Sequence, residues 1–155
     1  MKRKIGILSF LVVALAAGSV LLAQSNPFVG TWKLDVAKSK YNPGPAPQSS
    51  IRTWGADGMV MVKGTSAAGQ ESSYGYTIKE DGKEYPTMGA IPNHADKIMS
   101  KRLNADEYEA TFIKSGKHVE TTTYKISNGG KTLTIHAKGE TDKGPFDNLQ
   151  VWEKQ

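Results

Sequence analysis

The residues of this chain that are best suited to chemistry are aromatic and phenolic side chains at regular spacing. Tyr74 and Tyr76 are separated by one glycine, and Tyr108 and Phe112 lie four positions apart. Because side chains two positions apart in a β-strand point to the same face, each pair predicts a strand with an aromatic face. Two such faces side by side suit the wall of an apolar pocket that offers a few polar groups. A plainly packed core is the alternative explanation of the same pattern.

Arg102 is the residue that would give such a pocket a charge. It alternates with Ile98 and Ser100 along its segment. If the Ile98 face points inward, the guanidinium enters the cavity, where it needs a carboxylate partner or an anionic ligand. The opposite register leaves Arg102 in solvent, and the alternation is compatible with both.

Metal, haem and catalytic motifs find little support. His94, His118 and His136 are spaced too widely for a preformed multi-histidine site, and the neighbours of His136 predict an outward imidazole. Residues 64–71 have the glycine spacing of a phosphate-binding loop, but Gln70 stands where the lysine belongs. We therefore predict no metal, no cofactor and no catalytic residue. An enzyme built from dispersed residues is a lesser alternative, because a fold does not fix a function.

The amino terminus has the composition of an export signal. Three basic residues at positions 2–4 precede an apolar run at 5–23 that ends in small residues, which is typical of a secretory signal cleaved near Ala23. The run is also long enough to be retained as an anchor. The chain has no cysteine, which excludes a lipoprotein, disulfides and thiolate sites. We expect a signal peptide at 1–23 and a periplasmic or secreted protein.

Residues 24–155 are enough for one domain with its own core and too few for two ordinary domains. The formal net charge of +5 falls to about +2 when the three basic residues of the signal are removed. The basic balance of the chain therefore describes mostly the signal, and nucleic-acid binding is not predicted.

Turn signals divide the remaining chain into short strand patterns. Pairs such as Asp57-Gly58 and Ser115-Gly116 tolerate the backbone of tight turns between antiparallel strands. Pro43, Pro45 and Pro47 exclude a helix from the first long linker, which predicts a loop over one end of the fold. Strands are predicted near residues 29–35, 50–56, 59–64, 72–79, 97–103, 107–114, 117–127, 131–140 and 147–154, with a short pairing around 83–86. Closing these eight to ten strands into a barrel removes the exposed edges.

The first and last of these strands carry a family resemblance. Gly30-x-Trp32 opens the first strand, a run of hairpins follows, and Trp152-Glu153-Lys154 ends the last strand. This order resembles the calycin, or lipocalin-like, barrels and a group of small exported bacterial lipocalin-like proteins. The resemblance implies an all-β, single antiparallel up-and-down barrel that encloses a ligand. It also implies that Trp32 plugs the closed end and that Lys154 lies across its indole.

One part of the resemblance fails at the last strand. Fatty-acid carriers of this group present an Arg-x-Tyr pair there to the ligand carboxylate, whereas the matching positions here are Gln150 and Trp152. A fatty-acid carboxylate held in that manner is therefore not expected.

These patterns together predict an exported protein that binds a small lipophilic molecule by enclosing it. The expected lining residues are Tyr74, Tyr76, Tyr108, Phe112 and Trp152, with Arg102 orienting the ligand. The alternative is a filled barrel that uses the loop from Pro43 to Pro47 to bind or inhibit a protein partner in the cell envelope.

Overall fold

The computed structural model describes residues 26–155, which form one antiparallel sheet of eleven strands. In chain order the strands are β1 (Gly30–Lys40), β2 (Ser49–Trp54), β3 (Met59–Thr65), β4 (Glu71–Thr77), β5 (Glu84–Pro86), β6 (Met88–Gly89), β7 (Lys97–Asn104), β8 (Glu107–Lys114), β9 (Lys117–Ser127), β10 (Thr132–Thr141) and β11 (Gly144–Lys154). A 3₁₀ turn at Asn128–Gly130 joins β9 to β10. Within this part of the chain there is no helix of the length and hydropathy needed to span a bilayer. The signal peptide predicted at residues 1–23 lies outside the described residues.

Strands that follow each other in the chain are mostly neighbours in the sheet, whose order is β5-β7-β8-β9-β10-β11-β1-β2-β3-β4-β6. The pairing of β11 with β1 places Trp152 opposite Leu34 and joins the last hairpin to the first. The predicted all-β antiparallel barrel is confirmed. It has eleven strands rather than eight to ten, because β6 is a two-residue pairing that is too short to leave a periodic pattern.

The barrel closes between β4 and β7 through a connecting segment and one side chain. The Lys79 amide donates to the Ser100 hydroxyl at 3.0 Å, and this hydroxyl donates to the Lys79 carbonyl. The chain then pairs with β7 as β5 and returns to pair with β4 as β6. Residues 78–89 therefore span the gap between the two ends of the sheet.

One end of the barrel is filled by aromatic side chains. The rings of Phe28, Trp54 and Tyr108 pack with centroid separations of 4.7 to 5.8 Å. Trp32 is fully buried beside them and its indole Nε1 donates to the Phe28 carbonyl at 2.8 Å. The Lys154 ammonium lies 5.0 Å from the centroid of the Trp32 ring. This end of the barrel is therefore closed, and any internal space must lie toward the other end.

Two loops line the opposite end, which we call the mouth. The loop at 41–48 contains the three alternating prolines and is held to β11, where Asn42 donates to the Asn148 side chain at 3.0 Å and accepts from the Asp147 amide at 2.7 Å. The segment at 90–96 follows β6, and its Ile91 side chain is buried. Both loops border internal space, so they line the route between the interior and solvent.

Candidate functional site

The barrel interior contains a cavity of about 170 Å³, which we call the inner cavity. Its apolar wall comes from Phe112 on β8 and from Ile135 and Ala137 on β10, and Tyr76 on β4 meets Phe112 edge to face at 5.3 Å between ring centroids. Tyr124, which also lines this cavity, packs against Trp54 of the closed end. The inner cavity therefore lies next to the aromatic cluster that fills the closed end.

Arg52 brings a positive charge into this apolar space. It alternates along β2 with Ser50 and Trp54, all three of which point inward, and it is only 4% exposed. The guanidinium lies 4.8 Å from the centroid of the Trp152 ring, a favourable contact for a cation excluded from water. Among residues 26–155 no carboxylate lies within ion-pairing distance of Arg52. The charge is therefore buried without a carboxylate in direct contact.

The hydrogen bonds of Arg52 run into a pair of tyrosines. Its Nη1 donates to the Tyr76 hydroxyl, which is hydrogen-bonded at 3.0 Å to the Tyr124 hydroxyl. Because a guanidinium can only donate, Tyr76 must be the acceptor in the first bond. Either hydroxyl can donate in the second bond, which uses one of the two phenolic protons. The remaining phenolic proton has no acceptor among the described residues. The Arg52 Nε is also buried without a partner there.

The other polar side of the inner cavity is acidic. Glu120 on β9 accepts hydrogen bonds from Asn93 and Thr122, each at 2.5 Å. Burial raises the pKa of the Glu120 carboxyl, and the hydrogen bonds from Thr122 and Asn93 and the positive charge of Arg52 oppose that rise. Through the bond from Asn93, Glu120 fastens the 90–96 segment to β9, and it interacts with Arg52 only at longer range than an ion pair.

A second cavity of about 340 Å³, the outer cavity, lies at the mouth. Its wall includes the three prolines of the 41–48 loop, and burial raises the pKa of Tyr41 in the same loop to about 12. Tyr74, Pro92, Asn148 and Gln150 line both cavities. The outer cavity is therefore adjacent to the inner one, and a ligand longer than the inner cavity has room to extend toward the mouth.

The structure brings most of the predicted lining residues to these cavities. Tyr74, Tyr76 and Phe112 line the inner cavity, and Trp152 lines the outer one. Tyr108 belongs instead to the closed-end cluster, where its hydroxyl donates to Glu80 at 2.7 Å. All five side chains point inward. Their position along the barrel axis decides whether they line a cavity or belong to the closed-end cluster.

Arg102 lies on the inward face of β7 but lines neither cavity. Its guanidinium pairs with Glu80 at 2.8 Å and donates to the carbonyls of Asn104 and Ala105 at the β7–β8 turn. This turn is at the closed end, and the Arg102 side chain is partly exposed there. The buried cation of the inner cavity is therefore Arg52, which the sequence analysis did not select.

The predicted structural residues also have clear places. Gly30 has a positive φ of 141°, and a Cβ at this position would meet the aliphatic end of Lys154. Lys154 uses the same space to reach the Pro27 carbonyl at 3.2 Å while it covers Trp32.

His136 pairs with Asp147 at 2.7 Å on a partly exposed surface. Within residues 26–155, no three histidine or acidic side chains come together as a metal site would require.

A search of solved structures matches the barrel as a whole. A zebrafish ileal bile acid-binding protein, crystallised with cholic acid, superposes with a TM-score of 0.53 at 13% sequence identity, covering 83% of this chain and 99% of that chain. The fold is a calycin-type barrel. No family model and no curated protein matches the sequence. The calycin-type barrel therefore rests on three-dimensional likeness and on the strand order, and the identity is too low to carry a function.

Proposed function

We propose that this protein binds a small lipophilic molecule inside its barrel. The observation that carries the proposal is the unfilled interior, in which an inner cavity of about 170 Å³ adjoins an outer one of about 340 Å³. Ligand pockets are typically concave, mostly apolar and provided with a few polar groups, as this one is. Enclosure contributes roughly 25 cal/mol per Å² of apolar surface removed from water, before the costs of association. The solved calycin barrel with cholic acid supports the same kind of ligand.

The test is binding of a neutral lipophile, N-phenyl-1-naphthylamine, by purified residues 24–155, followed by its fluorescence and by the shift in melting temperature. A ligand present at about 100 times its Kd stabilises the folded state by about 2.7 kcal/mol. Native mass spectrometry of the protein from its own host would show a retained molecule by its mass. Absence of a shift and of any retained molecule contradicts the proposal.

A matched pair of variants on β10 shows where the lipophile binds. Ala137 lines the inner cavity, whereas the next residue, Lys138, points outward and pairs with Asp147. We expect Ala137→Phe to fill the space and weaken binding strongly, and Lys138→Phe to leave binding unchanged. Equal effects of the two variants would mean that the ligand binds outside the barrel.

The rim offers the second candidate, a protein partner in the cell envelope. The 41–48 loop lines the outer cavity and carries three prolines, which fix its backbone and limit the entropy lost on contact. Deleting residues 43–47 should abolish capture of such a partner and leave binding of small probes in the inner cavity mainly intact. Capture of the partner that survives this deletion would contradict the rim as its contact surface.

We also propose export, with cleavage near Ala23 and a periplasmic or secreted mature protein. The basic residues at 2–4 and the apolar run at 5–23 support this. Intact mass and amino-terminal sequencing of the protein from cell fractions test it. A full-length chain in the cytoplasmic fraction contradicts it, and a full-length chain in the membrane fraction indicates the anchored alternative.

A further inference from the structure

The inner cavity has an unusual balance of charge for an apolar enclosure. Arg52 is always ionised at physiological pH and is buried, and no carboxylate of the described residues lies within ion-pairing distance of it. Glu120 lines the same cavity and acts on Arg52 only at longer range. A buried ion without a counter-charge costs several kcal/mol in desolvation. A ligand that brings a negative charge to this point would recover much of that cost, so the site favours an anion over a neutral molecule of the same shape.

The hydrogen-bonding groups of the same side chain are also incomplete. A guanidinium has five N–H donors, and the contact that Arg52 makes to the described residues uses Nη1 alone. Its Nε has no partner, and one phenolic proton of the Tyr76–Tyr124 pair has none either. The cluster therefore presents a surplus of donors, and its complement is a group with several acceptor lone pairs, such as a carboxylate.

The size and walls of the inner cavity indicate the body that carries this group. Its volume of about 170 Å³ is close to that of an engineered cavity of about 150 Å³ that binds benzene. Ring faces and edges of Tyr76 and Phe112 border it, and aromatic rings pack well edge to face. The space therefore fits one six-membered ring rather than an extended chain.

We propose that Arg52 and the Tyr76–Tyr124 pair bind the carboxylate of a compact aromatic acid, whose ring occupies the inner cavity. This assignment rests on the proposed function and specifies its ligand. Substituents on the far side of the ring extend into the outer cavity past Tyr74 and Gln150. Glu120 lines the same cavity but makes no ion pair or hydrogen bond with Arg52, so the free N–H groups of the guanidinium remain available to a ligand.

The first experiment uses three probes of nearly equal shape on the unaltered protein. Benzoate is an anion, benzamide is neutral and benzamidine is a cation, so the series varies charge at constant ring size. Isothermal titration calorimetry at pH 7 should give the order benzoate, benzamide, benzamidine from tightest to weakest. Because hydrogen bonds to a charged group are stronger than those to a neutral one, we expect benzoate to bind about 10-fold or more tightly than benzamide. Equal affinities, or a preference for benzamidine, overturn the assignment with no variant needed.

The second experiment locates the preference. Arg52 and Arg102 are the two arginines of the described chain, and Arg102 lies outside both cavities. In Arg52→Met the benzoate preference should disappear, and in Arg102→Met it should be unchanged. Arg52→Lys keeps the charge but loses the planar fork, so it should keep only part of the preference. Persistence of the full preference in a folded Arg52→Met protein overturns the assignment.

The results also separate this inference from the broader function. Binding of N-phenyl-1-naphthylamine without any benzoate preference overturns the carboxylate site and leaves lipophile binding intact. Failure of every probe, neutral or charged, contradicts both. A preference for benzoate that is lost with Arg52 supports both.

Discussion

Replacing Arg52 by methionine should make the protein more stable. Within the part of the chain that the structure describes, Arg52 is a buried cation with one hydrogen bond, no ion pair and a partnerless Nε. Methionine has a similar length and no charge, so it retains packing while it removes the desolvation penalty. The expected sign is the opposite of the usual result for a large buried side chain, because most core substitutions destabilise.

The magnitude follows from the contacts. The charged hydrogen bond to Tyr76 contributes about 2 kcal/mol, and the stacking of the guanidinium on Trp152 at 4.8 Å contributes about 2 more. Against these stands the desolvation cost of the ion, roughly 5 to 6 kcal/mol with its unpartnered Nε included. The balance is a gain of roughly 1 to 2 kcal/mol on substitution, or about 4 to 8 °C in Tm for a domain of this size.

The assay is urea unfolding at pH 7 without ligand, followed by far-ultraviolet circular dichroism because the fluorescence of Trp152 is itself sensitive to Arg52. Arg102→Met is the matched control. It removes a partly exposed ion pair with Glu80 and hydrogen bonds to two turn carbonyls and to the Tyr108 hydroxyl, so it should cost about 1 to 2 kcal/mol. A loss of 2 kcal/mol or more in Arg52→Met would refute the reasoning and make the guanidinium a structural element.

Three further substitutions test other parts of the fold. Trp32→Phe removes the donor to the Phe28 carbonyl in the closed end and should lower the free energy of unfolding by about 2 to 3 kcal/mol; a change below about 0.5 kcal/mol in urea titration would contradict the closed-end packing. Gly139→Ala places a Cβ against the Val119 carbonyl on β9 and should cost about 2 kcal/mol or more, which thermal unfolding would measure. Burial raises the pKa of Glu120, so the folded state binds this proton more tightly than the unfolded state does. Stability from this group is therefore lost as pH rises from about 4.5 through the folded-state value, and Glu120→Gln should remove that loss. If the free energy of unfolding depends on pH in the same way in the variant and the parent, this role of Glu120 is contradicted.

The strands and turns of this barrel could be predicted because their signals are local. Alternation of side chains is a property of one segment, and turn pairs such as Asp57-Gly58 and Ser115-Gly116 stand between the segments they join. The predicted bounds of most strands agree with the observed ones within a few residues. The pairing of β5 with β7 and of β6 with β4 depends on contacts between distant segments, so the short β6 left no pattern.

The cation of the inner cavity was harder to predict for a physical reason. On β2 the apolar Ile51 is 39% exposed while the charged Arg52 is buried, so hydropathy alone favours the wrong face. The large side chain of Trp54, two positions further on, is the signal that points the other way, because its burial takes Arg52 inward with it. Arg102 is also on an inward face, but its position at the end of β7 places it at the closed end, and position along a barrel axis is not encoded in alternation.

The two chain termini of the described domain meet at the closed end. Lys154 reaches the Pro27 carbonyl, and the Gln155 amide donates to the Thr31 carbonyl at 2.9 Å. A tag, fusion partner or surface linkage joined directly before residue 26 or after residue 155 is therefore attached at the base of the barrel, on the side away from the proline loop. Sensors and affinity matrices made from this domain can be coupled through a terminus while the entrance stays open to solutes.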